Sequence, residues 1–183
     1  MADHEIPIHY VCTHNEAKEL INKHDRFWVC NCGCREGNKK GCKRSRIDIC
    51  LMFDEDEASS GSGKKAVDRA FVDGIMNEAE TKHLVSRPFR NEARTDTAGV
   101  CFCCDDCCGY FAEGNEYVCD KGKYIEQTDM DYCSQCGLCE EVCYFKARKM
   151  VNKELQVDHD KCYGCGLCPS VCPEDCIKTV VRK

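Results

Sequence analysis

Apolar residues recur at helical spacing close to the start of the chain. Thr13 and Glu16, a hydroxyl and a carboxylate three residues apart, have the capping-box pattern of a helix N-terminus. The apolar and aromatic positions that follow continue to Trp28. The pattern therefore predicts a helix from about Asn15 to Phe27.

A second helical pattern lies in the middle of the chain. Its apolar residues recur every fourth position and are Val67, Phe71, Ile75 and Ala79. The stretch Ser59–Gly63 before it is rich in serine and glycine and predicts a flexible loop. Strand signals in this half are limited to Leu84-Val85 and Val100, so we expect a small, mainly helical N-terminal domain.

Alternating residues near the end of the chain indicate strands. Glu154–Asp158 and Ile177–Val181 have this pattern. The polar segment at Gln127-Thr128 is a reasonable boundary, which gives domains at residues 1–127 and 128–183. The expected fold class is α+β.

Cysteine is the residue that changes this picture most, with 21 among 183 residues. Such a density indicates either a disulfide scaffold or a metal protein. Many of the cysteines are one or two residues apart, too close to pair with each other without strain. Met1–Tyr10 also lacks the apolar segment of a secretory leader. We therefore expect metal–thiolate sites in a reducing, cytoplasmic setting, with the metal contributing to the folding of the N-terminal domain.

The net charge and the hydropathy of the sequence limit the kinds of binding partner that we expect. The formal net charge of −6 gives no electrostatic support for a nucleic-acid partner. The absence of an 18-residue apolar run predicts no transmembrane segment. We expect redox proteins or a larger oxidoreductase complex as partners, with basic docking surfaces; the alternative is that mild acidity serves solubility alone.

Two cysteine runs with C-x2-C-x2-C-x3-C spacing lie 29 residues apart in the C-terminal part. They are Cys133, Cys136, Cys139 and Cys143, and then Cys162, Cys165, Cys168 and Cys172. This segment resembles the bacterial-type 2[4Fe-4S] ferredoxin, in which the fourth cysteine of each run ligates the other cluster. The resemblance implies a pseudo-symmetric dicluster fold. Its two clusters would be held by Cys133, Cys136, Cys139 and Cys172 and by Cys162, Cys165, Cys168 and Cys143. A pair of zinc sites is the alternative.

Two positions depart from the ferredoxin pattern. Tyr144 follows Cys143 where the family usually has proline, whereas Pro173 follows Cys172 as expected. Cys176 occupies a position that normally holds a small residue. We interpret it as a small buried hydrophobe and not as a ligand.

The cysteines of the N-terminal half resemble the cysteine-rich extension fused to ferredoxins of anaerobic bacteria and archaea. The candidate metal ligands are Cys30, Cys32, Cys42, Cys50, Cys101, Cys103, Cys104, Cys107 and Cys108. Cys34 is additional to that pattern. The residues leave open one [4Fe–4S] cluster on one patch, a site that joins both patches, a non-cubane cluster, or a zinc–thiolate cluster.

The sequence as a whole predicts an iron–sulfur electron-transfer protein, a carrier or small subunit of an anaerobic redox complex. Two [4Fe-4S] clusters and a further N-terminal cluster would pass single electrons, and no catalytic residue is predicted. The alternative is a zinc-binding docking or assembly module that attaches a ferredoxin to a larger enzyme. A third hypothesis is a catalytic or redox-sensing cluster in the N-terminal module.

Overall fold

The computed structural model describes residues 6–111 and 119–183, so part of the Met1–Tyr10 segment lies outside the described residues. A seven-stranded sheet forms the N-terminal half, with strand order β4-β2-β3-β6-β5-β1-β7. All neighbouring strands are antiparallel except the parallel pair β1 and β7. The strands are β1 His9–Tyr10, β2 Phe27–Cys30, β3 Cys50–Met52, β4 Lys65–Val67, β5 Val85–Arg90, β6 Thr97–Cys103 and β7 Cys119–Asp120.

The prediction of a mainly helical N-terminal domain is wrong. The described helices of this half are α1 His14–Ile21, α2 Gly33–Gly37, α3 Arg69–Thr81 and the 3-10 helix Gly109–Phe111. The first predicted helix ends at Ile21, because Phe27–Cys30 instead pairs with a strand on each side. These four residues are all buried and show no alternation, so sequence periodicity alone does not distinguish this strand from a helix.

Helices α1 and α3 each begin at a side-chain cap. The Thr13 and Glu16 side chains form the predicted capping box on α1. Helix α3 begins after Asp68, whose carboxylate accepts a hydrogen bond from the Phe71 backbone N–H at 2.9 Å. Val67, which the pattern assigned to that helix, lies in β4.

The C-terminal part contains four strands and one short α-helix, besides three 3-10 helices. The strands and the α-helix are β8 Tyr124–Thr128, α4 Leu138–Glu141, β9 Arg148–Val151, β10 Glu154–Val157 and β11 Ile177–Val181. Strands β9 and β10 form an antiparallel pair, and β8 pairs with β11 along its whole length. The expected domain boundary between residues 127 and 128 falls inside β8.

The 29-residue repeat is visible in the local conformation as well as in the cysteines. A 3-10 helix precedes each cysteine run, Met130–Tyr132 in the first and His159–Lys161 in the second. Each is capped by an aspartate, Asp129 or Asp158, whose carboxylate accepts a backbone hydrogen bond two residues on. The repeat therefore includes the backbone conformation before each cysteine run.

One continuous hydrophobic core joins the two parts of the chain. It includes Val29, Leu51 and Val100 of the sheet together with Tyr144 and Leu167 of the C-terminal part. The Phe111 ring packs edge-on against Tyr144, with ring centres 5.6 Å apart. The C-terminal part is therefore packed against the N-terminal sheet.

Candidate metal centres

The first thiol site, site I, surrounds a cavity in the C-terminal part. Its four predicted ligands line this cavity together and are Cys133, Cys136, Cys139 and Cys172. Cys172 belongs to the second run, and it reaches site I after the 3-10 helix Pro169–Val171.

The second thiol site, site II, surrounds another cavity and has the reciprocal composition. Its predicted ligands are Cys143, Cys162, Cys165 and Cys168. Cys143 follows α4, which carries the chain from site I to site II. Each fourth cysteine thus lies with the first three cysteines of the other run.

Left-handed backbone conformations shape the two cysteine loops at equivalent positions. Gly164 has φ +77°, and a Cβ there would lie 2.0 Å from the Tyr124 carbonyl oxygen. Gln135, 29 residues earlier, has φ +58°, and its side-chain oxygen accepts a hydrogen bond from the Leu155 N–H at 2.6 Å. Only glycine fits the second loop, because the backbone of β8 lies directly against it.

A buried arginine lines site II. Arg148 Nη2 donates to Glu126 Oε2 at 2.6 Å, and both side chains are almost fully buried. Arg148 Nε and Nη1 are also buried but have no hydrogen-bond partner among the described residues. N–H groups left without a partner beside four thiols suit an anionic iron–sulfur cluster, whose sulfurs accept hydrogen bonds. The residues of site II therefore fit such a group.

Cys176 is buried, as its interpretation as a small hydrophobe requires. It also lines site I, with its Sγ 3.5 Å from the Sγ of Cys172. Its thiol is thus next to a predicted ligand.

A row of thiols crosses the N-terminal sheet. Cys30 pairs with Cys50 in the β2–β3 register, and Cys101 pairs with Arg87 in the β5–β6 register. The Sγ atoms of Cys50 and Cys101 lie 3.6 Å apart and complete the row across four strands. Directly paired residues project to the same face of a sheet, so these three cysteines and Arg87 share one face.

Four more cysteines extend this row into what we call the sheet-face group. Arg87 Nη1 donates to the Sγ atoms of Cys103 and Cys108, both at 3.5 Å. Cys108 and Cys32 are close enough to Cys34 to lower the pKa of its thiol. The whole group comprises Cys30, Cys32, Cys34, Cys50, Cys101, Cys103 and Cys108.

Hydrogen bonds between thiols of the sheet-face group lower the pKa of some of them and raise the pKa of their partners Cys50 and Cys108. The hydrogen bond from Cys50 lowers the pKa of Cys30 to about 5. Hydrogen bonds from Cys108 lower the pKa of Cys34 to about 3 and, with help from Arg87, that of Cys103 to about 7. Acidic thiols are ready metal ligands, because the metal binds the thiolate.

The predicted flexible loop Ser59–Gly63 contains no helix or strand, but it is tied to the sheet-face group. Ser60 Oγ donates to the Sγ of Cys50 at 3.2 Å. The Asn31 N–H donates to the Ser62 carbonyl at 2.8 Å. The loop therefore covers one end of the thiol row.

The remaining cysteines of the predicted pool form a separate thiol triad, Cys42, Cys104 and Cys107. The Sγ of Cys104 lies 3.5 Å from each of the other two. Cys103 and Cys104 are adjacent in sequence, yet they belong to different groups, because Cys103 is the last residue of β6 and Cys104 lies beyond the end of that strand. The structure thus divides the nine candidate ligands between two places.

Three functional candidates were missed by sequence reasoning. Arg35 and Arg87 are buried beside thiols. His9 Nε2 lies 3.9 Å from the Sγ of Cys101, and burial followed by the charge of Arg87 lowers its pKa to about 4. The spacing of these three residues in the sequence does not indicate that they lie beside cysteine thiols in the folded chain.

Tyr144 lies where the C-terminal part meets the N-terminal half. Its side chain is buried, and the Arg44 guanidinium lies 5.1 Å from the centre of its ring. Burial raises its pKa to about 12, so the phenol stays protonated. The departure from proline at this position therefore places an aromatic ring between the two parts of the chain.

Comparison with known families bears on the C-terminal part. Residues 132–176 match the family described as a 4Fe-4S dicluster domain. A search of curated proteins finds no match to the chain. The C-terminal part is therefore a 4Fe-4S dicluster domain, and the high cysteine content agrees with an iron–sulfur role. In the described ranges, no helix is long and apolar enough to cross a membrane.

Proposed function

We propose that this protein is an iron–sulfur electron carrier, or a small subunit of an anaerobic redox complex, with clusters at site I, site II and the sheet-face group. Bound clusters of this kind supply one-electron chemistry. The protein chain holds them, limits water access and provides hydrogen bonds and charges. No catalysis of its own is proposed.

The observation that carries this proposal is the arrangement of the eight ferredoxin-type cysteines. They surround two cavities, each lined by three cysteines of one run and one cysteine of the other. That exchange fits the ligation expected of bacterial-type ferredoxins. It also fixes the two sites close together, because α4 is only four residues long.

The sheet-face group supports a third cluster. It supplies more thiols than one cubane needs, and Arg87 places a buried positive charge among them. A cation beside thiolates offsets part of their mutual repulsion. The buried ring of Tyr144 packs in the core that joins this sheet to the dicluster domain, which supports electron passage between the two parts.

The surface beside site I supports a basic redox partner. Tyr132 is 73% exposed and Met130 is 45% exposed. Most of the exposed charged side chains around them are acidic, namely Asp129, Asp131, Glu174 and Asp175, and Lys178 lies on the same surface. An apolar centre with an acidic rim suits a partner whose docking surface is basic.

Metal analysis of the full chain tests the proposal. Purified without oxygen, the chain is expected to contain acid-labile sulfide and more than the roughly eight irons of two cubanes. Its visible absorption should bleach when dithionite is added. A chain with zinc but no sulfide would contradict the proposal and favour the docking-module alternative.

A Cys101→Ser variant separates the third cluster from the other two. It removes one thiol of the sheet-face group and leaves the cysteines of sites I and II unchanged. The iron content should fall to about eight per chain. An unchanged iron content above eight would contradict the assignment of the third cluster to this face.

A further inference from the structure

The thiol triad has a geometry that sets it apart from the other cysteine groups. The Sγ atoms of Cys42, Cys104 and Cys107 all lie within 4.8 Å of one another. Cys104 is fully buried, and the other two are partly buried. Within residues 6–111 and 119–183, no other three cysteine, histidine or carboxylate side chains bring their ligand atoms so close together.

This spacing is that of ligands to one metal ion. A Zn–S bond of about 2.3 Å in a tetrahedral site puts two ligand sulfurs about 3.8 Å apart. The 3.5 Å separations in the triad are close to that value. In a cubane each thiolate binds a different iron, so its ligand sulfurs are spread around the cluster. Sites I and II, which lie in the matched dicluster domain, contain no trio as close as this one.

Arg35 supplies the charge that such a site needs. Its side chain is only 3% exposed, and Nη2 lies 4.0 Å from the Sγ of Cys104. The guanidinium is held by hydrogen bonds to the carbonyls of Arg46 and Phe102 at 2.6 and 2.9 Å. Its Nε is buried without a hydrogen-bond partner among the described residues. A Zn²⁺ ion bound by three thiolates keeps one net negative charge, which this guanidinium balances.

The carboxylates next to the triad have other partners. Asp106 Oδ2 accepts a hydrogen bond from the Lys43 N–H at 2.8 Å. Asp105 pairs with Arg44 at 2.9 Å. Neither carboxylate completes the triad as a fourth ligand.

We propose that Cys42, Cys104 and Cys107 bind a single tetrahedral divalent ion of the zinc class, with Arg35 as the charge partner of the thiolates. The fourth position is left to a water molecule or another small donor from outside the chain. This site goes beyond the proposed electron carrier, because zinc has no redox chemistry. The ion links the loop before β3 to the turn after β6, beside the Tyr144 ring.

Metal content of the full chain and of two matched variants tests this site. Cys107 and Cys101 are both partly buried, and they lie in the triad and the sheet-face group respectively. The wild-type chain, produced with zinc and iron supplied and purified without oxygen, should contain about one zinc per chain in addition to its iron. Cys107→Ser should lose that zinc and keep its iron and sulfide. Cys101→Ser should keep the zinc.

Cobalt provides a second readout that does not depend on stoichiometry alone. Co²⁺ exchanged into the zinc site should give thiolate-to-cobalt charge-transfer bands in the wild type and in Cys101→Ser, and these bands should be absent from Cys107→Ser. If Cys107→Ser does not fold, removal of zinc from the wild-type chain by a chelator, with the iron absorption unchanged, supports the site.

Two results would overturn the proposal. One is a wild-type chain without zinc. The other is a Cys107→Ser chain that loses iron and sulfide, which would make the triad part of an iron–sulfur cluster. Both results leave the proposed electron-transfer function standing, whereas a chain without iron and sulfide would remove that function and leave the zinc site in place.

Discussion

The carboxylate of Glu126 accepts a hydrogen bond from Arg148 Nη2 at 2.6 Å beneath the cavity of site II. The other carboxylate oxygen lies 2.6 Å from His159 Nε2. Strand β8 contributes Glu126 and strand β9 contributes Arg148, so one buried ion pair joins the two small sheets of the dicluster domain.

We expect Glu126→Gln to destabilise the protein by about 3–5 kcal/mol, because it leaves the Arg148 charge buried without its carboxylate. The loss of a negative charge beside site II should also raise the reduction potential of a cluster there. Denaturant unfolding without oxygen and a potentiometric titration measure the two effects. As a control, Asp73→Asn removes the exposed partner of Arg69 and should cost about 0.5 kcal/mol or less. Equal losses in the two variants would contradict the prediction.

The exchanged positions of Cys143 and Cys172 predict which cluster each substitution damages. Cys143→Ser should disturb the cluster of Cys162, Cys165 and Cys168, because Cys143 lines that cavity. Cys172→Ser should disturb the other cluster. Electron paramagnetic resonance of the reduced variants identifies the signal that is lost. Damage confined to the cluster of the residue's own run would show that the exchange is wrong.

Gly164→Ala should destabilise the dicluster domain by roughly 1–3 kcal/mol or more, because the residue needs φ +77° and its new Cβ would meet the Tyr124 carbonyl. Gly74→Ala is the control. No atom lies within 4 Å of a Cβ at Gly74, which is in the middle of α3, so alanine should stabilise the chain by up to about 1 kcal/mol. Unfolding midpoints of the two variants should therefore move in opposite directions. A shift of the Gly164→Ala midpoint to higher denaturant would count against the close approach of the loop to β8.

The lowered pKa of the His14 ring should make the stability of the folded protein depend on pH. Its Nε2 lies 2.7 Å from the Leu84 carbonyl oxygen, and burial lowers the pKa of the ring. As the pH falls below about 6.5, the unfolded chain binds a proton that the folded chain resists, so this residue reduces stability on acidification. His14→Gln keeps a donor for the carbonyl but does not titrate. The wild type should lose more stability than this variant between about pH 8 and pH 5.5, as measured by denaturant unfolding. Equal losses would show that His14 is not responsible.

The repeat of cysteines allowed most of the dicluster domain to be predicted. Both cysteine runs and the strand Ile177–Val181 depend on local patterns, and the structure contains that strand with the same bounds. The N-terminal sheet was not predictable in this way. Its strands β2 and β3 are short runs of buried residues, and only pairing between distant segments defines them as strands.

The division of the N-terminal cysteines also required the structure. Cys103 and Cys104 separate because β6 ends at Cys103, and the sequence does not specify that end. Cys34 is additional to the family pattern, yet it contacts Cys108 in the structure. Contacts between residues about seventy positions apart, such as those of Arg35 with Phe102, depend on the sheet register. The cysteine content of the sequence predicted metal sites. Which thiols lie together depends on the strand order and register of the N-terminal sheet.

The pairing of β8 with β11 has a consequence for how the protein is made on the ribosome. All eight cysteines of sites I and II lie between these two strands in the sequence, so every ligand emerges before the strand that closes the domain. The seven strands of the N-terminal sheet all precede Tyr124, and this sheet can fold while the rest is still being synthesised. Ile177–Val181 can therefore pair with β8 only after all eight thiols have been synthesised. A message truncated after Cys176 would yield a chain that has every ligand but lacks the strand that encloses them.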